Sequence, residues 1–215
     1  MAGRIVGEEM RAYYDRRAPG YDDWWFGTGG FAARERPGWF DEVDRLFEVV
    51  RSLSPAKVLD VACGTGYLTR HLAGEVTGID QSHAMVAIAA ERLPGARIVR
   101  GEAVPLPFPA GSFDRVFTGH FYGHLLEHER RAFLGEARRV AGELVVVDSA
   151  VRDDTADGWQ VRELGDGSRH RVYKRFFTAE GLADELGGGR VLHDGDWFVA
   201  VASPAPAGPE KERGG

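Results

Sequence analysis

Two acids and a glycine turn are the first residues in this chain whose types and spacing suit chemistry. Asp60 lies in a short apolar run, Lys57 to Val61, followed by Gly64-Thr65-Gly66; Asp80 ends a second run, Val76 to Asp80. Asp80 stands twenty residues beyond Asp60, suitable for gripping both hydroxyls of a ribose. An apolar strand, a glycine turn and then a helical pattern (Leu68, Leu72, stopping at Gly74) is how an open α/β sheet presents a nucleotide site at a strand's carboxyl end. Glycine lets a ligand lie against bare backbone. A dinucleotide fingerprint needs a third glycine, and Thr69 takes that place here. Asp60 also sets a negative charge just before the turn, a poor neighbour for phosphates and a good one for an ammonium group. The ligand is therefore read as a nucleoside with a cationic tail and no phosphate.

S-adenosylmethionine (SAM) fits that description. LDVACGTG (59–66), GIDQS (78–82) and GEAVPLPFPAGSFDRV (101–116), taken in order, resemble the glycine-rich, ribose and adenine motifs of the class I SAM-dependent methyltransferases. The nearest type is that of ubiquinone and menaquinone biosynthesis, small enzymes acting on small molecules. The resemblance runs from Tyr13 to Val147. It implies an α/β fold, a three-layer Rossmann-like sandwich with a seven-stranded, mostly parallel sheet whose last strand is antiparallel. It implies SAM as cofactor and S-adenosylhomocysteine (SAH) as product. Residue by residue it places Asp60, Ala62, Cys63, Gly64, Thr65 and Gly66 at the cofactor, with Asp80 and Gln81 at the ribose. Met85 packs on the adenine or simply belongs to the core. In Gly101-Glu102-Ala103 the carboxylate accepts from the adenine amino group; the family's usual Asp is one methylene shorter. YYDRRAPGYDDWWF (13–26) resembles the segment that folds over the cofactor as a lid. Tyr14, Tyr21 and the Trp faces would attract a sulfonium or exclude water, and Arg17 would pair with the methionyl carboxylate. An aromatic helix packed on the sheet is the alternative.

The fourth strand, Phe113 to Thr118, should end at the topological switch, where the methyl group is delivered. Thr118, Gly119 and His120 lie there, with His124 four residues on. Histidine is the natural general base near neutral pH; His120 is the first candidate to take a proton from the acceptor and His124 the second, against a packing or capping role. The segment lacks the Asn/Asp-Pro-Pro-Tyr/Phe and Pro-Cys motifs of base-methylating enzymes, which favours a small-molecule acceptor methylated on O, N or C. No third ligand suggests zinc, and Cys63 reads as a small residue fitting the turn rather than a nucleophile. Two other classes remain: a SAM-binding protein without transferase activity, acting as a sensor or partner subunit, and an NAD-dependent oxidoreductase on a related fold.

These residues need a scaffold, and 215 residues suffice for one α/β domain with a core. A net charge of −6 argues against nucleic acid as partner. The single cysteine and the absence of an apolar run of membrane-spanning length lead to the expectation of a cytoplasmic protein, monomer or homodimer, with no membrane partner. Helices are expected over Glu8–Arg17, Pro37–Leu53, from a Ser82 cap to Arg92, over Leu125–Val140, and from a Thr178 cap to Leu186. Leu164-Gly165-Asp166-Gly167-Ser168 signals a hairpin, and its basic flank (Arg169, Arg171, Lys174, Arg175) is either a surface face or a site for an acidic substrate. The expected organisation is a lid segment (1–36), a methyltransferase domain (37–203) with a hairpin insertion (151–177), and a disordered tail (204–215).

Overall fold

The computed structural model describes residues 8–204. Residues 1–7 of the expected lid segment, and the expected tail from 205 onward, lie outside the described residues. The strands are β1 (Ala56–Val61), β2 (Gly74–Asp80), β3 (Arg97–Arg100), β4 (Phe113–Gly119), β5 (Ala141–Ser149), β6 (Gly158–Glu163), β7 (Arg169–Lys174), β8 (Arg190–Asp194) and β9 (Phe198–Pro204). Seven form one sheet in the order β3-β2-β1-β4-β5-β9-β8. Only β9 runs against its neighbours, inserted between β5 and β8. Order reverses between β1 and β4, which opens a crevice at their carboxyl ends. Pro204, expected in the tail, pairs with Glu143 as the last residue of β9.

The helices are α1 (Glu8–Arg17), α2 (Asp23–Phe26), α3 (Trp39–Arg51), α4 (His83–Arg92), α5 (Glu127–Val140) and α6 (Ala179–Glu185). Strand residues alternate between two helical layers. Val58, Phe117, Val145 and Val147 pack with Trp39, Val43, Leu46 and Val50 of α3. Leu59, Val116, Val146 and Val199 pack with Phe133, Ala137 and Val140 of α5 and Leu182 of α6. Each of the Val, Leu and Phe side chains contributes about 1.5–3 kcal/mol when fully buried. The expected caps form: Ser82 Oγ accepts from Met85 N at 3.1 Å and Thr178 Oγ1 from Gly181 N at 3.0 Å.

The helix expected after the glycine turn does not form. Residues Thr69–His71 make a single 3-10 turn and Leu72 is already extended. Only Tyr67 to Ala73 lie between Gly66 and β2, too short a segment to nucleate a helix and return to the sheet. Gly74 is likewise no helix stop. It opens β2 at φ +110°, and a Cβ there would meet Ala56 O at 2.1 Å, so glycine is what lets β1 and β2 begin side by side.

Candidate active site

The glycine turn and the second acid are bonded to each other. Asp80 Oδ2 accepts from Gly64 N at 2.9 Å, and Asp80 Oδ1 accepts from Ser82 N at 2.9 Å. Each oxygen keeps a lone pair, and Asp80 lines a partly open cavity. Burial pushes its carboxyl up to about 6, with the Asp15 charge adding to the rise, against the backbone N–H groups of Ser82, Gly64 and Gln81. Asp60 sits behind the turn, 2% exposed. Its Oδ2 accepts from Thr69 Oγ1 at 2.6 Å while its buried Oδ1 has no partner. Burial lifts Asp60 to about 7 despite that hydrogen bond.

The cavity lies at the carboxyl ends of β1, β2 and β4. Ala62 and Gly64 form its floor, Gln81 and Met85 one wall, and Gly101, Glu102 and Ala103 the far end. Gln81 Oε1 is a second buried acceptor without a partner. Glu102 faces α1, 3.6 Å from Arg11 Nη2. Tyr14 and Tyr21 close the cavity from the N-terminal segment, and Gly119, His120 and His124 complete it at the end of β4. Two described non-glycine residues have positive φ, Ala62 at 58° and His120 at 57°; both line this cavity, where strained backbone tends to collect.

The aromatic segment divides its labour. Trp24 and Trp25 pack on the sheet end beside Trp39 and Phe198 and wall in His120, with ring centroids 4.8 and 5.4 Å from the imidazole. His120 Nε2 is buried there without a partner, and burial pushes the ring down to about 4. The segment is pinned at two points. Asp15 Oδ1 accepts from Ser82 Oγ (2.6 Å) and Ala84 N (3.2 Å); Asp22 accepts from Thr65 Oγ1 (2.7 Å) and Arg92 Nη2 (2.5 Å).

His124 is in a different state. It ends a 3-10 turn, Tyr122–His124, and its Nδ1 lies 2.7 Å from Tyr173 O on β7. Burial pushes its pKa well below the usual imidazole value, with the Lys174 and Arg162 charges pushing the same way. Behind it, Asp148 at the end of β5 accepts from Lys174 Nζ (2.5 Å) and Gly123 N (2.8 Å), clamping the hairpin to the sheet.

Other expected cofactor residues stand behind the wall. Cys63 is buried in the turn, its thiol pushed up by burial and by the Asp80 and Asp60 charges. The Thr65 and Gly66 backbones carry the turn into Arg92 and Leu93 of the next layer. The Thr118 hydroxyl is donated to Val61 O at 2.8 Å. Arg17 donates to Tyr13 Oη at 3.0 Å and its guanidinium lies 4.7 Å from the Tyr21 ring centre. Met10, Ile79 and Phe121 line the cavity and were not foreseen. Met10 stands one helical turn before Tyr14, and Ile79 and Phe121 adjoin Asp80 and His120, so helical spacing and adjacency were the available signals.

Residues 58–143 match the model of a family described as a methyltransferase domain. A demethylmenaquinone methyltransferase of Thermotoga maritima is 38% identical over 114 residues, 48% of each chain; the match thus spans about half the length of that relative. An uncharacterized methyltransferase of Bacillus licheniformis is 32% identical over 158 residues, covering 70% of this chain and 72% of that one. Among solved structures, the complex of DhpI with SAH superimposes with a TM-score of 0.75 at 27% identity, over 96% of this chain and 100% of that one.

Proposed function

The chain belongs to the class I SAM-dependent methyltransferases, and from that premise we propose that it transfers a methyl group from SAM to an O, N or C atom of a small molecule, releasing SAH. The observation that carries this reading is the Asp80 carboxylate, tied to the glycine turn yet keeping free lone pairs toward the cavity. The unpartnered Gln81 Oε1, on a residue lining the cavity, fits a ligand that brings donors, such as an adenosine.

SAM, when bound, supplies an electrophilic methyl group whose sulfur departs as a neutral thioether. The chain's own residues do the rest. Asp80 would accept from the ribose hydroxyls, Gly101-Glu102-Ala103 and Met85 would hold the adenine, and Tyr14 and Tyr21 would exclude water. Gly119 lines the crevice with its backbone, and its missing side chain makes room for Leu68, whose Cδ1 a Cβ would meet at 2.6 Å. Where the acceptor's nucleophile carries a proton, His124 Nε2 would take it. The main service is alignment of nucleophile with the departing bond.

Calorimetric titration with SAM, SAH and NAD, followed by transfer of labelled methyl to a panel of small acceptors, tests this. Micromolar SAM and SAH binding (about −8 kcal/mol) with labelled product is the expected result. NAD binding alone overturns the reading; SAM binding with no transfer to any acceptor reassigns the chain as a sensor or partner subunit.

A further inference from the structure

The β6–β7 hairpin offers one face to solvent and one to the site. Trp159, Val161 and Glu163 point outward; Gln160, Arg162, His170, Val172 and Lys174 lie on the inner face, with Arg162 opposite His170. That inner face rests on α1 and on the turn bearing His124: the His170 ring is 5.2 Å from Tyr13, and Tyr173 O holds His124 Nδ1. The cations around it are mostly matched. Lys174 has Asp148, Arg175 has Glu185 and Asp157, and Arg169 has Glu163. Arg162 is half-buried, and among the described residues no acid lies within ion-pairing distance of it. Its one side-chain hydrogen bond is to the neutral Gln160 Oε1, at 3.4 Å. Asp148 is paired with Lys174 and also accepts from Gly123 and Ser149.

A guanidinium drawn partly out of water without a counter-ion is costly, and its planar fork matches a carboxylate or phosphate in two parallel hydrogen bonds. The Arg162 charge is felt at two cavity residues: it opposes the burial-driven rise of the Tyr14 phenol and adds to the fall of His124. Tyr14 and His124, which both line the cavity, have ring centroids 6.4 Å apart.

We propose that Arg162 anchors an oxyanion of carboxylate or phosphate type on the methyl acceptor, while the acceptor's nucleophile faces His124. The inference rests on the methyl-transfer reading and narrows it, from small molecules in general to anionic ones and away from an uncharged ring.

The test uses the full chain saturated with SAH, titrated with inorganic phosphate and with acetate at constant ionic strength against chloride, in the wild type, Arg162→Gln and Arg162→Lys. The expected result is saturable binding of at least one oxyanion, weakened at least tenfold in Arg162→Gln and partly restored in Arg162→Lys, with SAH affinity unchanged within twofold. Preference for phosphate supports a phosphate-type acceptor, and preference for acetate a carboxylate. If SAH binds but neither oxyanion exceeds chloride, or Arg162→Gln binds them as well as the wild type, the anionic acceptor is overturned and the cofactor reading stands. If SAH itself does not bind, both fall.

Discussion

His124 Nδ1 lies 2.7 Å from the carbonyl oxygen of Tyr173. A carbonyl only accepts, so Nδ1 carries the proton and Nε2 holds the lone pair. The hairpin thereby sets the tautomer of a histidine lining the cavity. Replacing His124 with Gln should lower kcat by about 10²- to 10⁴-fold for an acceptor with a protonated nucleophile, with KM for SAM changed less than about threefold. Burial pushes His124 well below 6.5, so the base stays free as pH falls through the ordinary imidazole range. A wild-type kcat profile should therefore show no drop centred near 6.5. A drop there that survives in His124→Gln would assign the proton to another group.

Asp60 should make the unliganded protein less stable as pH rises. Its carboxyl is held near 7 in the fold against 3.8 unfolded, chiefly by burial. Between those values the folded state binds the extra proton, so unfolding free energy falls with rising pH. Asp60→Asn cannot ionise. Its Tm should exceed that of the wild type at pH 8, and the difference should close toward pH 4. Melting curves over that range check the sign; an equal offset at every pH would mean that packing, not ionisation, is responsible.

Asp15 and Asp22 tie the N-terminal segment to Ser82 and to Thr65 and Arg92. Hydrogen bonds to charged groups contribute about 1.5–3 kcal/mol each, nearer the lower value where water reaches them. Asp22→Ala should speed SAH release by about tenfold, and Asp15→Ala should act in the same direction. Stopped-flow displacement of SAH measures both. Unchanged release rates would show that the segment does not gate the site.

Much of this site was legible because its parts are local. Ala62 and Gly64, Asp80-Gln81 and Gly101 to Ala103 line the cavity from strand ends, where apolar runs stop, and a strand end in a parallel sheet is the mouth of the crevice. The antiparallel last strand was implied by the resemblance to the methyltransferases and not by runs and turns, and the strand order is visible only in the fold. What the pattern missed depends on long-range contact. No local signal shows that Tyr173 fixes the His124 tautomer, that Trp24 and Trp25 box in His120, or that Arg162 lacks an acid while Lys174 has one. The missing helix after Gly66 was a local error of length: Leu68 and Leu72 have helical spacing, but the segment to Gly74 has room for one turn only.

Asp80 joins Gly64 N and Ser82 N through its two oxygens, each at 2.9 Å, so it shapes the turn as well as lining the cavity. Asp80→Ala should weaken SAH binding at least about a hundredfold, the loss of two charge-assisted hydrogen-bond acceptors. Asp80→Asn should do little better, because its amide turns a donor toward one of the two N–H groups. The ionised carboxylate is the form that accepts from ribose hydroxyls, and burial holds its pKa near 6. Wild-type SAH affinity should therefore fall as pH drops through 6, and Asp80→Ala should lose that dependence. Titration calorimetry at pH 5, 6 and 7.5 decides it: a pH slope that is the same in Asp80→Ala as in the wild type would remove Asp80 from the binding site.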